Sequence, residues 1–242
     1  MELSVLLLEE SQIFVSELSF YRILHERGLL ERMEHDFVLA ADEFHHKTKF
    51  ANEMWQTDFT YFKVKDWGWY YLSTVIDDYS RYIIHWELCS SMTSEDVSRT
   101  IDKSIEKAGV ALQNPPCLLS DNGPCYIASS LKQYLCKEYN IKHIHGKPFH
   151  PQTQGKIERY HRSMKNVIKL NHHFCPSELE KAIDGWVKYY NESRFHESLD
   201  NLTPREVYLG QGEKIKRIRE TIQQNSINKR ISENKRMILQ HK

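Results

Sequence analysis

Apolar residues recur along this chain with two different periods, and the change between them falls near Asn52. Before it, SELSFYRILHERGLL (16–30) places Phe20, Ile23, Leu24 and Leu18 along one stripe at helical spacing. Ser16 or Ser19 can cap the start of that helix and Gly28 can end it. An acidic, histidine-containing connection follows, roughly 34–50. From Asn52 the pattern turns to strands. In 54–64 Trp55, Thr57, Phe59 and Tyr61 alternate with Gln56, Asp58 and Thr60, which sets Asp58 in mid-strand on a polar face. GWYYLSTVI (68–76) is apolar on both sides and predicts a covered strand. Asp77 and Asp78 close it in a turn that fits a salt bridge, and RYIIHWELC (81–89) is a third strand. Such short connections predict an antiparallel meander.

Thr93-Ser-Glu-Asp96 fits a capping box, with a helix to about Lys107 and Gly109 as its stop. Pro115-Pro116 bars further helix, Cys117–Ser120 is a short strand, and Asp121-Asn122-Gly123-Pro124 turns sharply. A helix over about 129–139, a strand at 141–145 and a loop from Gly146 to Gly155 lead into a long helix from Lys156 to about Leu170. A helix with Trp186, Tyr189 and Tyr190 and a short one over Thr203–Leu209 complete 177–209. The core order β-β-β-α-β-α-β-α predicts an α/β fold, a mixed sheet with helices on its faces.

Composition narrows the class. The chain has 242 residues, 40% of them hydrophobic and 12% aromatic, which suits one medium domain with appendages. Its five cysteines are scattered and odd in number, with no C-x-x-C, which argues against a disulfide framework and for a reducing compartment. The run Ser4–Leu8 is short for a signal sequence, and no stretch nears the ~20 apolar residues of a membrane span. These features predict a soluble, cytoplasmic chain without a membrane partner. Net charge is zero but uneven. Residues 1–60 hold 12 acidic and 5 basic groups, a net of −7, whereas 211–242 hold 9 basic and 3 acidic groups, a net of +6. The basic end suits nucleic-acid contact and equally suits a solvated helical tail.

The candidate chemistry lies in three carboxylates: Asp58 in WQTDFTYF, Asp121 in LLSDNGP and Glu158 in HPQTQGKIERYHR. On the helix from Lys156, Ile157, Tyr160, Met164, Val167 and Ile168 form the packing side, and Glu158 falls about 120° from its centre, on a flank. Lys156, Arg159 and Arg162 lie on the other flank and back. A carboxylate at the core's edge with cations beside it suits a site for both divalent metal and phosphate. Taken singly, an acidic residue is usually solvated surface. An aspartate inside a strand is uncommon, and one before Asn-Gly is ordinary turn chemistry.

Together these segments resemble the DDE triad of the integrase catalytic core shared by retroviral integrases and many bacterial insertion-sequence transposases. STVIDDYSRYIIHWEL, KYYNESRFHESLDNLTPREVYLG and the basic tail follow in the matching order, and the resemblance is strongest to the second-frame transposase of bacterial insertion elements. Thirty-six residues separate Asp121 from Glu158, one more than is usual in the family, which a one-residue loop insertion before the helix absorbs. The resemblance implies a ribonuclease-H-like mixed five-stranded sheet, with the two Asp-bearing strands adjacent and the Glu helix across them. It implies two Mg²⁺ or Mn²⁺ ions held by Asp58, Asp121 and Glu158, one activating water or a DNA 3′-hydroxyl and the other stabilising the leaving oxygen. The activity expected is metal-dependent DNA cleavage and strand transfer by a polynucleotidyl transferase, in a bacterial, nucleoid-associated setting. The expected partners are transposon ends and target DNA, further copies of the chain on that DNA, and an upstream-frame helix-turn-helix protein.

Around the triad, Asn122, His150, Gln152, Gln154, Lys156, Arg159 and Arg162 are candidates for gripping DNA, the cations through phosphates and the amides through base edges or backbone. For the cations, and for Lys165, an ordinary solvated helix face is the alternative. His45-His46 and His172-His173 lack partners at zinc spacing and read as surface. No H-H-C-C zinc module precedes the core. Residues 16–30 instead resemble the last helix of a helix-turn-helix whose earlier helices are not visible in MELSVLLLEESQIF. The expected division is a partial helix-turn-helix remnant and linker (1–47), a catalytic core (48–210) and a basic tail (211–242). A stand-alone nuclease of the same fold and an inactive DNA-binding remnant are the competing readings.

Overall fold

The computed structural model describes residues 2–30, 48–110, 113–146 and 155–240. Helices α1 (Glu2–Ser11) and α2 (Glu17–Glu26) open the chain. Strands β1 (Met54–Val64), β2 (Gly68–Asp77) and β3 (Ile83–Cys89) follow, then helix α3 (Ser94–Ala108) and strand β4 (Cys117–Ser120). Helices α4 (Pro124–Ile127) and α5 (Ser129–Tyr139) lead to strand β5 (His143–His145). Helices α6 (Gly155–Ile168), α7 (Pro176–Glu192), α8 (Pro204–Tyr208) and α9 (Gly212–Gln240) complete the order. They gather into two units. One holds α1, α2, Phe195–Leu202 and α9, and the other holds the sheet with α3 to α8.

The sheet runs β3-β2-β1-β4-β5, antiparallel from β1 to β3 and parallel from β1 through β4 to β5. This is the mixed five-stranded sheet the sequence predicts. Both faces are covered. On one, Phe62, Val64, Leu72 and Ile76 pack against Ile157, Tyr160 and Met164 of α6 and against α7. On the other, Trp55, Val75 and Leu118 pack against Val97, Ile101 and Leu135 of α3 and α5. The even-numbered side of β1, which its sequence presents as a polar face, is therefore a covered one. Gln56 and Thr60 are buried there beside Phe62 and Val64, under α6. Alternation marks two sides of a strand without saying which is roofed, and here both are.

Local signals fix several boundaries. Thr93 and Asp96 close a capping box at the start of α3, and Gly109 ends that helix with φ of 60°. Thr203 and Glu206 form a second box on α8. The turn after β4 continues into the short helix α4, with Pro124 at its first position, where the sequence predicts a turn alone. In the last turn of α7, Asn191 donates its amide to the carbonyl of Ile83 (3.0 Å) and accepts from its N–H (2.9 Å), which fastens that helix to the start of β3.

In the smaller unit, Ser16 caps α2 by accepting from the N–H of Ser19. The segment MELSVLLLEESQIF, expected to lack recognisable helices, contains α1. Val5 and Leu8 are buried, and Glu9 accepts from Nε of Arg219 on α9 at 2.7 Å. The N–H of Phe14 donates to Ser226 at 3.0 Å. The two terminal segments, expected as separate appendages, thus pack on one another. A short run such as VLLLEE shows too little periodicity to announce a helix whose burial comes from a segment two hundred residues away.

Candidate active site

The site is built on the junction of antiparallel and parallel halves of the sheet. In the β1–β4 pair Gln56 lies opposite Leu119, so β1 continues to Asp58 where β4 ends and Asp121 begins. Glu158 stands in the first turn of α6, the helix laid over β1. Asp58 and Glu158 line one cavity of about 440 Å³ with His161, Arg162, Lys165 and Lys169. Asp58 is half-buried, while Asp121 and Glu158 face solvent. Partial desolvation on their inward side pushes the Asp121 and Glu158 carboxyls above their ordinary values although both reach solvent, and the charge of Asp58 raises both further. The N–H of Gly123, donated to Asp121 at 2.8 Å, and the cations Arg162 and Arg159 near Glu158 oppose these shifts. Asp58 is therefore the group through which the three carboxylates sense each other.

Among the described residues, no three His, Cys, Asp or Glu side chains close on a common point as a metal cage does. What fits a divalent cation is the donor set: hard oxygens whose mutual repulsion and partial desolvation a cation offsets. Mg²⁺ binds through one or two carboxylates and keeps waters and phosphate oxygens, so a closed protein cage is not required.

The flanking residues divide. Lys156, expected to reach DNA, donates to the carbonyl and carboxylate of Asp78 at 2.8 and 2.7 Å, and its charge is neutralised there. Asp78 also accepts from Gln56 (2.7 Å) and Thr48 (2.6 Å), while Gln56 accepts from the N–H of Ile157 (3.3 Å). This network ties the first turn of α6, and so Glu158, to β1 and the turn after β2. Asp77 is buried and accepts from Asn52 and from both donors of Ser80, so hydrogen bonds close the predicted turn at Asp77 and the ion pair falls to Asp78. Asn122 donates to the carbonyl of Gly146 at 2.8 Å, joining the loops after β4 and β5. Arg159 and Arg162 are exposed on α6, with Arg162 in the cavity. His150, Gln152 and Gln154, like His45 and His46, lie outside the described residues. His173 bonds the carbonyl of Ile168 at 3.0 Å, and His172 is exposed.

Two features of the site are absent from the sequence-based expectations. His161 is buried on the packing side of α6, where Val167, assigned to that side, is exposed. Its Nδ1 stands 3.4 Å from the Asp58 carboxylate. Its position three residues after Glu158 is the available signal, since that spacing puts both on one helical face. Ser120 stands within 2.8 Å of Nε2 of His143 and 3.4 Å of Nδ1 of His145, next to Asp121. The strand pattern gives no hint of that cluster.

Comparison with known proteins bears on the fold. Residues 49–151 match a family model described as "Integrase core domain", and residues 139–204 match a second model of the same description. The Pol-related polyprotein of mouse intracisternal A-particle MIA14 is 34% identical over 117 residues, which are 48% of this chain and 13% of that polyprotein. The Gag-Pro-Pol polyprotein of squirrel monkey retrovirus is 30% identical over 121 residues, 48% of this chain and 6% of the relative. The chain thus spans a small fraction of these relatives' length. Among solved structures, the HTLV-2 integrase catalytic core domain in complex with magnesium superposes with a TM-score of 0.52 at 23% identity, covering 66% of this chain and 97% of that one. The BIV integrase catalytic core gives 0.51 at 26%, covering 67% and 97%. The fold is the ribonuclease-H-like fold of integrase cores. Residues 49–204 are thus similar, through two overlapping matches, to integrase core domains. These relatives are retroviral, so the resemblance to bacterial insertion elements stands on the sequence motifs alone.

Proposed function

We propose that this chain is a transposase of the DDE class, cutting and joining DNA ends with Asp58, Asp121 and Glu158 as its catalytic carboxylates. The observation that carries the reading is the meeting of β1, the end of β4 and the first turn of α6, where Asp58 raises the proton affinity of both other carboxyls. Bound Mg²⁺ or Mn²⁺, two ions in this reading, supplies activation of the attacking water or 3′-hydroxyl and charge stabilisation at the leaving oxygen. The three carboxylates would hold that metal. Arg162 and Lys165, facing the same cavity, pair with the backbone phosphates of the strand being cut. Lys156, neutralised by Asp78, positions Glu158 rather than touching DNA. An insertion-element origin and an upstream-frame partner rest on the motif order. Two copies or more on paired ends follow from the chemistry, because joining two ends needs two sites.

Purified chain is given labelled element-end DNA and target DNA in Mg²⁺, with an RNA–DNA hybrid in parallel. Strand-transfer products from the DNA, reduced about a thousandfold in Asp121→Asn and in Glu158→Gln while folding and most DNA binding persist, are the expected outcome. Full strand transfer by either variant refutes the assignment, and cleavage confined to the hybrid favours the stand-alone nuclease.

A further inference from the structure

A second cavity, also about 440 Å³, opens where the β1–β2 hairpin meets the connection between α6 and α7. We propose that it is a subsite for an unpaired stretch of the DNA strand, with one base stacked on Trp69 and the backbone held by Lys63, Lys65 and Lys169. The proposal rests on the reading of the chain as a DNA-processing core and adds to it where a strand goes beyond the carboxylates.

The lining has an unusual make-up. Trp69, Tyr61 and Phe174 keep 51%, 56% and 65% of their surface in solvent although all three rings border one hollow. They are held rather than loose. Tyr61 meets Trp69 edge-on with centroids 5.4 Å apart, and the N–H of Phe174 is fixed by Glu178 at 2.9 Å. The register pairs Lys63 with Trp69, so both stand on one side of the hairpin, and the Lys63 ammonium lies 5.8 Å from the Trp69 ring. Three lysines and two histidines border the hollow, and no carboxylate among the described residues does. Exposed aromatic faces beside cations, with the opposite charge left out, are what a polyanion with flat rings requires. Single strands present base faces, whereas a duplex buries them and shows only base edges in its grooves. A hollow of this volume is in the range that takes one small ring system.

The two cavities are continuous in their lining, for Tyr61 and Lys169 border both. Along α6, Glu158, Arg162 and Lys165 follow one another at spacings that keep them on neighbouring faces, over about 10 Å of helix at ~1.5 Å per residue, and Lys169 comes just past the helix's end. The Lys165 ammonium sits 4.5 Å over the Tyr61 ring, at the boundary between the two hollows. A strand whose phosphate lies at the carboxylates and which follows these cations arrives at Trp69.

The test is binding by the full chain in EDTA, read by anisotropy of a fluorescent oligothymidylate of about twelve nucleotides, against a blunt duplex of equal length. Trp69→Ala is expected to weaken single-strand binding about tenfold, to leave duplex binding within about twofold, and to be largely restored in Trp69→Phe. Lys63→Ala with Lys65→Ala is expected to flatten the dependence of log affinity on log salt by about 0.7 for every phosphate that no longer has a lysine beside it. The proposal is overturned if Trp69→Ala binds the oligothymidylate like the parent, if it loses both DNAs equally, or if polyglutamate competes as well as the oligothymidylate. Because no metal is present, the outcome is separate from that of the strand-transfer assay. A Trp69-dependent chain without nuclease activity sinks the catalytic reading alone, and an active chain indifferent to Trp69 sinks this one alone.

Discussion

At the residue scale, the site turns on how Asp58 shares its surroundings. It occupies an interior strand position, where aspartate is disfavoured by propensity, and faces His161 and Glu158 under α6. Asp121 and Glu158 each have a pKa raised above the ordinary 3.8 and 4.5, by burial first and by Asp58 next. The sign of the linkage follows. A carboxyl whose pKa is raised by folding contributes stability below its unfolded value and loses it as pH rises through the folded value. The contribution of these two carboxyls to the stability of the metal-free chain should therefore fall as pH climbs from about 4 through the mildly acidic range, opposite in sign to that of His85 and His143, which burial holds down at about 4, while Mg²⁺ bound to the ionised carboxylates would offset that fall increasingly. Thermal melts with and without Mg²⁺ from about pH 4 to 8 check this, and a Mg²⁺ increment that shrinks as pH rises contradicts it. The candidacy of the three carboxylates was readable because each sat in a distinctive local context. The role of His161 was not, since a histidine on an apolar helical side is legible only once the facing strand is known.

At the scale of elements, α6 is the piece whose placement matters most. Its apolar side is anchored by Tyr160, which meets Trp186 and Tyr190 of α7 edge-on at 5.3 and 5.1 Å. Its first turn is anchored by the Asp78 network. Asp78 is 3% exposed, and truncating it leaves Lys156 without its counterion and Gln56 without an acceptor. Asp78→Ala is expected to cost about 2 kcal/mol, less than a fully buried pair because the Lys156 side chain keeps touching water. That corresponds to roughly 4–8 °C in Tm, with a larger loss of strand transfer than of DNA binding. Lys156→Met separates the two roles for that lysine. A fall in stability with DNA affinity intact supports positioning, and a fall in affinity at unchanged Tm restores it to the DNA-binding set. The sequence marked α6 by its period and α3 by its capping box, but a turn at Asp77-Asp78 could not say which lysine would arrive from nearly eighty residues away.

At the scale of the whole molecule, DNA binding by a neutral chain would have to run through local patches. The exposed Lys229, Arg230, Lys235 and Arg236 of α9 belong to the most basic stretch. Replacing the four by glutamine is expected to lower duplex affinity and to reduce the salt dependence by about 0.9 in log–log slope for each phosphate left without a cation. Unchanged titrations would assign that stretch to plain solvation. Mass photometry on paired element ends is expected to show at least two copies of the chain, and a strictly monomeric complex argues against joint action on both ends.

The linear pattern of residues was enough for the element order, the mixed sheet and the nomination of the three carboxylates as candidates, because period, caps and turn residues act over a few neighbouring positions. Three things were settled only by tertiary packing: that the polar side of β1 is roofed by α6, that Lys156 is bound to Asp78, and that α1 packs on α9. Each depends on segments far apart in the chain coming together, and no local rule carries the identity of a distant neighbour.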